Sequence, residues 1–332
     1  MRRILSILLA STALFSCSTE EVINAPELQP ISFGNMFIEN STRAIYNQNE
    51  DLKLFYVYGN VTGNQNSTVI LYGNDGAKVE RNNGVSWNGI WDCKVTQYWV
   101  PECTYQFAAV SNAKDEGVTV ETNDNGLPEI ITYNVASQAD LLYASVPYVT
   151  TDFTGTPSGT GIDNKTVAFT FNHLLSKVRF VFINDFPEAS GVELTATDIK
   201  ITNATASGTY GFNSDLKKWE WTSLSGETSL EFDRTEKMSP GKGEGISSKE
   251  CVLIPGTNVF KITLYVQHNI GKKEPVLVDD ITLTADLRQG CSYNFRANLN
   301  AGNITGIAPI TFNITRDDDW NDAEDFPKDT NL

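Results

Sequence analysis

Two histidines, His173 and His268, are all the imidazole this chain carries, and they lie far apart in sequence. A Ser-His-Asp centre needs a base held by a carboxylate beside a nucleophile, and neither histidine has a recognisable setting for one. His173 sits between Asn172 and Leu174 in an apolar stretch, which is the setting of a structural histidine. Zinc would need clustered His or Cys ligands, and none are spaced for it. The acidic run Asp317-Asp318-Asp319-Trp320-Asn321-Asp322 places Asp317, Asp319 and Asn321 at calcium-loop spacing. The loop then fails, because Asp322 stands where glycine is needed and Lys328 where a bidentate glutamate is needed. This run reads as a solvated tail. Trp87, Trp91 and Trp99 fall in one short window with Tyr98. Exposed rings of this kind could hold a sugar, whereas large rings at strand positions more often fill a core. These residues point to no enzyme, metal or cofactor.

The cysteines and the first residues offer more. Arg2 and Arg3 precede the apolar run Ile4–Phe15, and Ser16-Cys17 closes it before the polar Ser18-Thr19-Glu20-Glu21. The run is shorter than the roughly 20 residues a membrane-spanning helix needs. A basic start, a short apolar stretch and a small residue before the cut have the form of an export signal. LFSC (14–17) resembles a bacterial lipobox, in which the cysteine becomes the lipidated first residue. Acyl chains at about 0.8 kcal/mol per buried methylene would then hold Cys17 in a membrane. Four cysteines remain: Cys93, Cys103, Cys251 and Cys291. Cys93 with Cys103 and Cys251 with Cys291 is the pairing that stays within the domains set out below. Each loop would be worth roughly 2–4 kcal/mol. Four reduced, buried thiols are the alternative.

The remaining chemistry must rest on elements that composition already constrains. The chain has 332 residues with 40% hydrophobic and 11% aromatic content, enough for two packed domains rather than a disordered chain. A formal charge of -16 excludes a nucleic-acid partner, whose phosphates need a basic face. No stretch carries a helical period. Instead β-type alternation recurs, rich in Val, Ile, Thr, Tyr and Phe and punctuated by Gly and Asn. It predicts strands at 52–58, 68–72, 105–110, 130–133 and 141–146. After a Thr/Gly/Pro/Ser-rich stretch at 150–164, VAFTFNHLLSKVRFVFI (167–183) is the strongest strand signal, with HLLSK breaking its phase as a bulge or turn would. Further strands are predicted at 193–201, 209–212, 229–232, 250–254, 260–267, 280–285, 293–299 and 310–314. The pattern predicts an all-β protein of two antiparallel sandwiches. Its divisions are a signal peptide at 1–16, a polar linker at 17–30, one sandwich at 31–160 and a second at 161–332 with the acidic tail.

Seven blocks in order, ISFGNMFIENSTRA (31–44), LKLFYVYG (52–59), DLLYASVPYV (140–149), VAFTFNHLLSKVRFVF (167–182), CVLIPGTN (251–258), GCSYNFRANL (290–299) and ITFNITRDDDW (310–320), resemble the fimbrillin family. These are the lipoprotein pilins of type V pili of Gram-negative anaerobes. Phe171, His173, Leu175, Lys177 and Val178, with Thr42-Arg43-Ala44, are the most specific parts. The resemblance implies two tandem transthyretin-like sandwiches and a lipoprotein precursor attached to the outer membrane through its lipid. An arginine-specific protease would cut between Arg43 and Ala44 and release the first strand. A strand from another pilus subunit would then fill the groove. Ile310, Phe312 and Ile314 alternate as such a donor should, and the last strand of the chain's own domain is the other reading. A non-polymerising surface lipoprotein that binds glycans or host ligands is the competing function.

Overall fold

The computed structural model describes residues 28–34, 36–39, 52–63, 67–81, 90–216, 218–241, 243, 245–271 and 274–317. Among them the chain is all-β apart from two short 3-10 turns and one helical turn at Ala301–Ile304. The predicted alternation is visible in the burial. Along Thr104–Val110, Tyr105, Phe107 and Ala109 point into a core, and along Ser176–Asn184, Val178, Phe180 and Phe182 do.

Three sheets result. The first has twelve strands, and its central path runs from Ile90–Cys93 through Ala77–Arg81, Leu54–Thr62 and Thr104–Val110 to Leu142–Thr151 and Thr170–His173. Both ends of this path return to one stretch of chain. Phe33–Gly34 pairs antiparallel with Ile90 and Trp91 on one side, and Phe33 pairs parallel with Val167 on the other. Phe37–Glu39 continues parallel to Thr170–Asn172. The sheet therefore curls until its ends meet along a seam formed by residues 31–39 and 166–173. Its enclosed core holds Phe33, Phe55, Val57, Val79, Trp91, Trp99, Tyr105, Phe107, Phe169 and Phe171.

The second sandwich packs two separate sheets. Ser176–Asn184 pairs parallel with Ser292–Leu299, which is flanked antiparallel by Asn313–Asp317. Opposite lies a six-stranded sheet built on the long strand Leu194–Asn213, which pairs with Lys218–Glu231 and Gly256–His268. Val276–Leu287 pairs with Gly256–His268 at its edge. Phe180, Phe182, Phe232, Phe260, Phe295 and Phe312 fill the space between the sheets.

The two units interleave more than the expected partition at residue 160 allows. The hairpin Val118–Thr122/Pro128–Asn134 belongs by sequence to the first unit but pairs with Ser207–Gly211 of the second. The stretch rich in Thr, Gly and Pro is no linker. Pro157–Gly159 folds back on Val149–Thr151, and Ile162–Asp163 pairs with Thr166–Val167 in the first sheet. Gly161 needs its glycine there, with φ +82° and only 2.6 Å between an added Cβ and Val146. The crossing comes later, at the phase break that the sequence shows. Phe171 is in the first core, Leu174, Leu175 and Val178 are in the second, and the chain changes sheets between His173 and Ser176. The joint is tightly bonded. Leu174 N–H donates to the Leu141 carbonyl, Trp221 Nε1–H donates to the Leu174 carbonyl, and His173 Nδ1 lies 3.0 Å from Asp140 Oδ1. Tyr143 of the first sheet stacks near Trp219 and Tyr210 of the second, at 5.3 and 6.5 Å between ring centres.

Candidate functional site

Alternation in Ile31-Ser32-Phe33 sends Ile and Phe inward and leaves Ser at the rim, and this makes the segment a strand that fits a slot. Ile31 is 5% exposed, Phe33 0% and Met36 8%. The Phe33 ring lies 6.0 Å from Phe169, 6.2 Å from Tyr72, 6.3 Å from Phe55 and 6.5 Å from Phe107, so it stands at the centre of the first core.

The backbone is held on both sides. Ile31 N–H donates to the Gln97 carbonyl at 2.7 Å and Trp99 N–H donates to the Gln29 carbonyl at 2.9 Å. Val167 N–H donates to the Ser32 carbonyl and Phe37 N–H to the Phe169 carbonyl, each at 2.9 Å. Phe169 N–H reaches Met36 Sδ at 3.4 Å, where the ladder shifts register. A strand removed from this position would uncover the apolar floor and two facing rows of backbone donors and acceptors, which is a template for another strand. Burying Ile31, Phe33 and Met36 contributes roughly 4–9 kcal/mol before ordering costs.

The groove floor is electrically neutral. Burial raises the Tyr72 phenol well above the ordinary tyrosine range, with Cys93 and Tyr105 adding to the effect. Burial pushes Tyr105 up to about 12, partly offset by the hydrogen bond that its oxygen accepts from Val100 N–H at 2.6 Å. Such a floor suits an uncharged apolar strand and penalises a charged one.

The remaining sequence candidates fall as follows. Cys17, Arg43 and Ala44 lie outside the described residues, as do Trp87 and residues 318–332. Trp91 and Trp99 are core rings at 4% and 0% exposure, as expected of large rings at strand positions, so neither forms a surface platform. His173 is buried against Asp140, and Ser111, the nearby hydroxyl, donates to the Asp140 backbone carbonyl rather than to an imidazole. Among the described residues no group of three or more His, Cys, Asp or Glu is placed to hold a metal ion.

Cys93, Cys103 and Cys251 are free thiols in this structure, the alternative to the two pairings. Cys251 flanks Ser176–Asn184 on one side and the residues around Cys291 flank it on the other, two strand spacings or about 9.6 Å apart. A disulfide spans Cα atoms less than about 7 Å apart. Along the first sheet the strand of Cys93 stands three places from the strand that follows Cys103. Burial raises all three of Cys93, Cys103 and Cys251, the last to about 11, which keeps them protonated and unreactive near neutral pH.

Ile310 and Phe312 are buried in the second core, with Phe312 5.4 Å from Phe180 and 5.9 Å from Phe182, and Ile314 is half-buried opposite Phe295. In this structure they close their own sandwich. Sequence reading passed over the groove's other wall, Ile90–Cys93, since four residues flanked by polar sequence carry too short an alternation to register.

Residues 42–316 match the fimbrillin-like family, and the chain belongs to that family of cell-surface fimbrial structural proteins. No curated protein matches it by sequence. Among solved structures, a fimbrial protein from Bacteroides vulgatus superposes with a TM-score of 0.55 at 15% identity, covering 86% of this chain and 98% of that one. A candidate cell adhesion protein from Bacteroides uniformis gives 0.51 at 17% identity, covering 88% and 99%. One from Bacteroides ovatus gives 0.50 at 16% identity, covering 90% and 100%. At these identities the likeness establishes the shared all-β sandwich fold.

Proposed function

We propose that the chain is a structural subunit or adhesin of a type V cell-surface pilus, exported as an outer-membrane lipoprotein precursor through Cys17 and polymerised after a cut between Arg43 and Ala44. The observation that carries this reading is the seam. Phe33–Gly34, held on both sides by backbone pairing, and Phe37–Glu39, paired on one side, complete the first sandwich from outside its central path and are joined in sequence to Leu54 and beyond only through the connection 40–51. Arg43 and Ala44 lie in that connection. A cut there converts a covalently tethered strand into one held by non-covalent contacts alone, and an arginine-specific protease is the partner that would make it. Another pilus subunit then supplies the replacement strand. The uncut precursor has its groove filled and stays monomeric during export.

The test is limited digestion of the purified protein with an arginine-specific protease, followed by N-terminal sequencing and electron microscopy. A new N-terminus at Ala44 accompanied by filaments or a ladder of oligomers is expected. A chain that resists cleavage at Arg43 and remains monomeric would sink the proposal.

A further inference from the structure

Large apolar side chains stand exposed at the end of the first sandwich where the chain enters it. Leu28 is exposed, as are Tyr98 and Val100 on the segment beside it. Pro30 bridges antiparallel to Tyr98, and Trp99 N–H donates to the Gln29 carbonyl, so Leu28 falls opposite Val100. Trp99 turns into the core, and alternation about it sends Tyr98 and Val100 outward.

The turn 152–156 adds a fourth apolar group. Asp152 Oδ1 accepts from Thr154 N–H at 2.8 Å, from the Thr154 hydroxyl at 2.6 Å and from Thr156 N–H at 2.9 Å. Thr151 Oγ1 donates to the Val100 carbonyl at 2.6 Å and Glu102 N–H to the Asp152 carbonyl at 3.1 Å. These bonds fix the turn against the Tyr98–Val100 segment, and Phe153 stands at its tip, 79% exposed. A ring held in water by a fully bonded turn gains nothing from its own chain. Phenylalanine and tyrosine rings beside aliphatic groups suit the boundary between lipid and water.

The path of the chain says what covers this end. Cys17 lies eleven residues before Leu28, which spans at most about 40 Å. A lipid on Cys17 therefore keeps the Leu28 end of the sandwich within that distance of the bilayer. We infer that this end is a membrane-docking surface: in the tethered precursor, Phe153, Tyr98, Val100 and Leu28 rest in the headgroup layer of the membrane that holds Cys17. This rests on the reading that Cys17 is lipidated, and it adds the orientation of the tethered chain. The lipid supplies the affinity, and the patch sets which end faces down. Exposed Glu102 and Asp152 beside it favour zwitterionic over anionic headgroups.

Tryptophan quenching by brominated lipid tests the inference. Lipidated protein carrying Phe153→Trp is incorporated into vesicles of phosphatidylethanolamine and phosphatidylcholine, the latter brominated near the head of its acyl chains. About half or more of the emission that the new tryptophan adds should be quenched, since interfacial rings sit about 5–10 Å deep. Phe212→Trp, at an exposed ring of the second sandwich, should lose at most about a fifth as much. Equal or greater quenching at 212 overturns the proposed face. Protein that floats with the vesicles but is quenched at neither position overturns the docking surface and leaves the lipid anchor standing. A chain that incorporates no labelled palmitate at Cys17 and does not float overturns the lipoprotein reading, and this inference with it. A Cys17→Ser chain that dimerises in solution, and loses the dimer on Phe153→Ser, assigns the patch to a second copy and overturns the membrane as its partner.

Discussion

The two sandwiches close their cores by opposite means. The first is one sheet curled until its ends meet, and the closing strand comes from the chain's beginning, paired on both sides. The second stacks two sheets, and its last strand lies at an edge with one neighbour in the ladder. A doubly paired strand attached through a single connection is a separable part, while an edge strand is a movable one. Release of the first strand, as proposed above, would therefore open the first core and leave the second closed.

Substitutions at the two closing phenylalanines bear on this contrast most strongly. Phe33→Ala should cost about 4–5 kcal/mol in urea denaturation, near the top of the range for deleting a buried ring, because four rings and two strands surround it. Phe312→Ala should cost about 3 kcal/mol, since its position is less enclosed and adjoins a cavity. Equal losses would remove the asymmetry on which separability rests.

A smaller effect is expected where the units touch. Trp219 is half-buried between Tyr143 and Tyr210, and Trp219→Ala should cost about 1.5–3 kcal/mol. It should also separate the melting transitions seen by tryptophan fluorescence and by circular dichroism, which coincide if the sandwiches unfold together. Coincident transitions in the variant would show that the joint around His173 suffices to couple them.

Smallest is a pH effect confined to the first core. Burial raises Tyr105 to about 12 in the folded chain, against roughly 10 unfolded. Its neutral form is favoured by folding, so its contribution is complete below about pH 10 and is lost as pH rises through about 12. Tyr105→Phe should flatten the fall in the urea midpoint above pH 10. An unchanged slope would assign the alkaline loss to the other phenols raised by burial, Tyr58, Tyr72, Tyr133, Tyr143, Tyr210 and Tyr293.

Local patterns in the sequence proved sound where the information is local. Alternation located Leu54–Thr62, Thr104–Val110 and Ser176–Asn184 to within a few residues, and the HLLSK phase break marks the crossing between cores. Pairing between distant strands is not written in any window. Nothing in Val118–Asn134 announces that it joins a sheet begun at Leu194, and the turn-rich 150–164 looks like a linker because hairpins and linkers share the same residues. Trp91 and Trp99 were ambiguous for a related reason. A ring at a strand position faces core or solvent according to register, which only the assembled sheet sets. The groove itself was half legible: Ile31-Ser32-Phe33 showed the strand, and its second wall at Ile90–Cys93 was too short to see.

The seam also sets a timetable. Phe169 N–H meets Met36 Sδ across 133 residues of chain, so the strand made first waits for partners made much later. Such long-range pairing is slow, because a large loop must close before any contact rewards it. As the chain is made, the strands Leu54–Thr62, Thr104–Val110 and Leu142–Thr151 can pair with one another before the leading strand docks. Docking of the leading strand is then the reverse of the release proposed above, and the first sandwich passes through an open form on the way in.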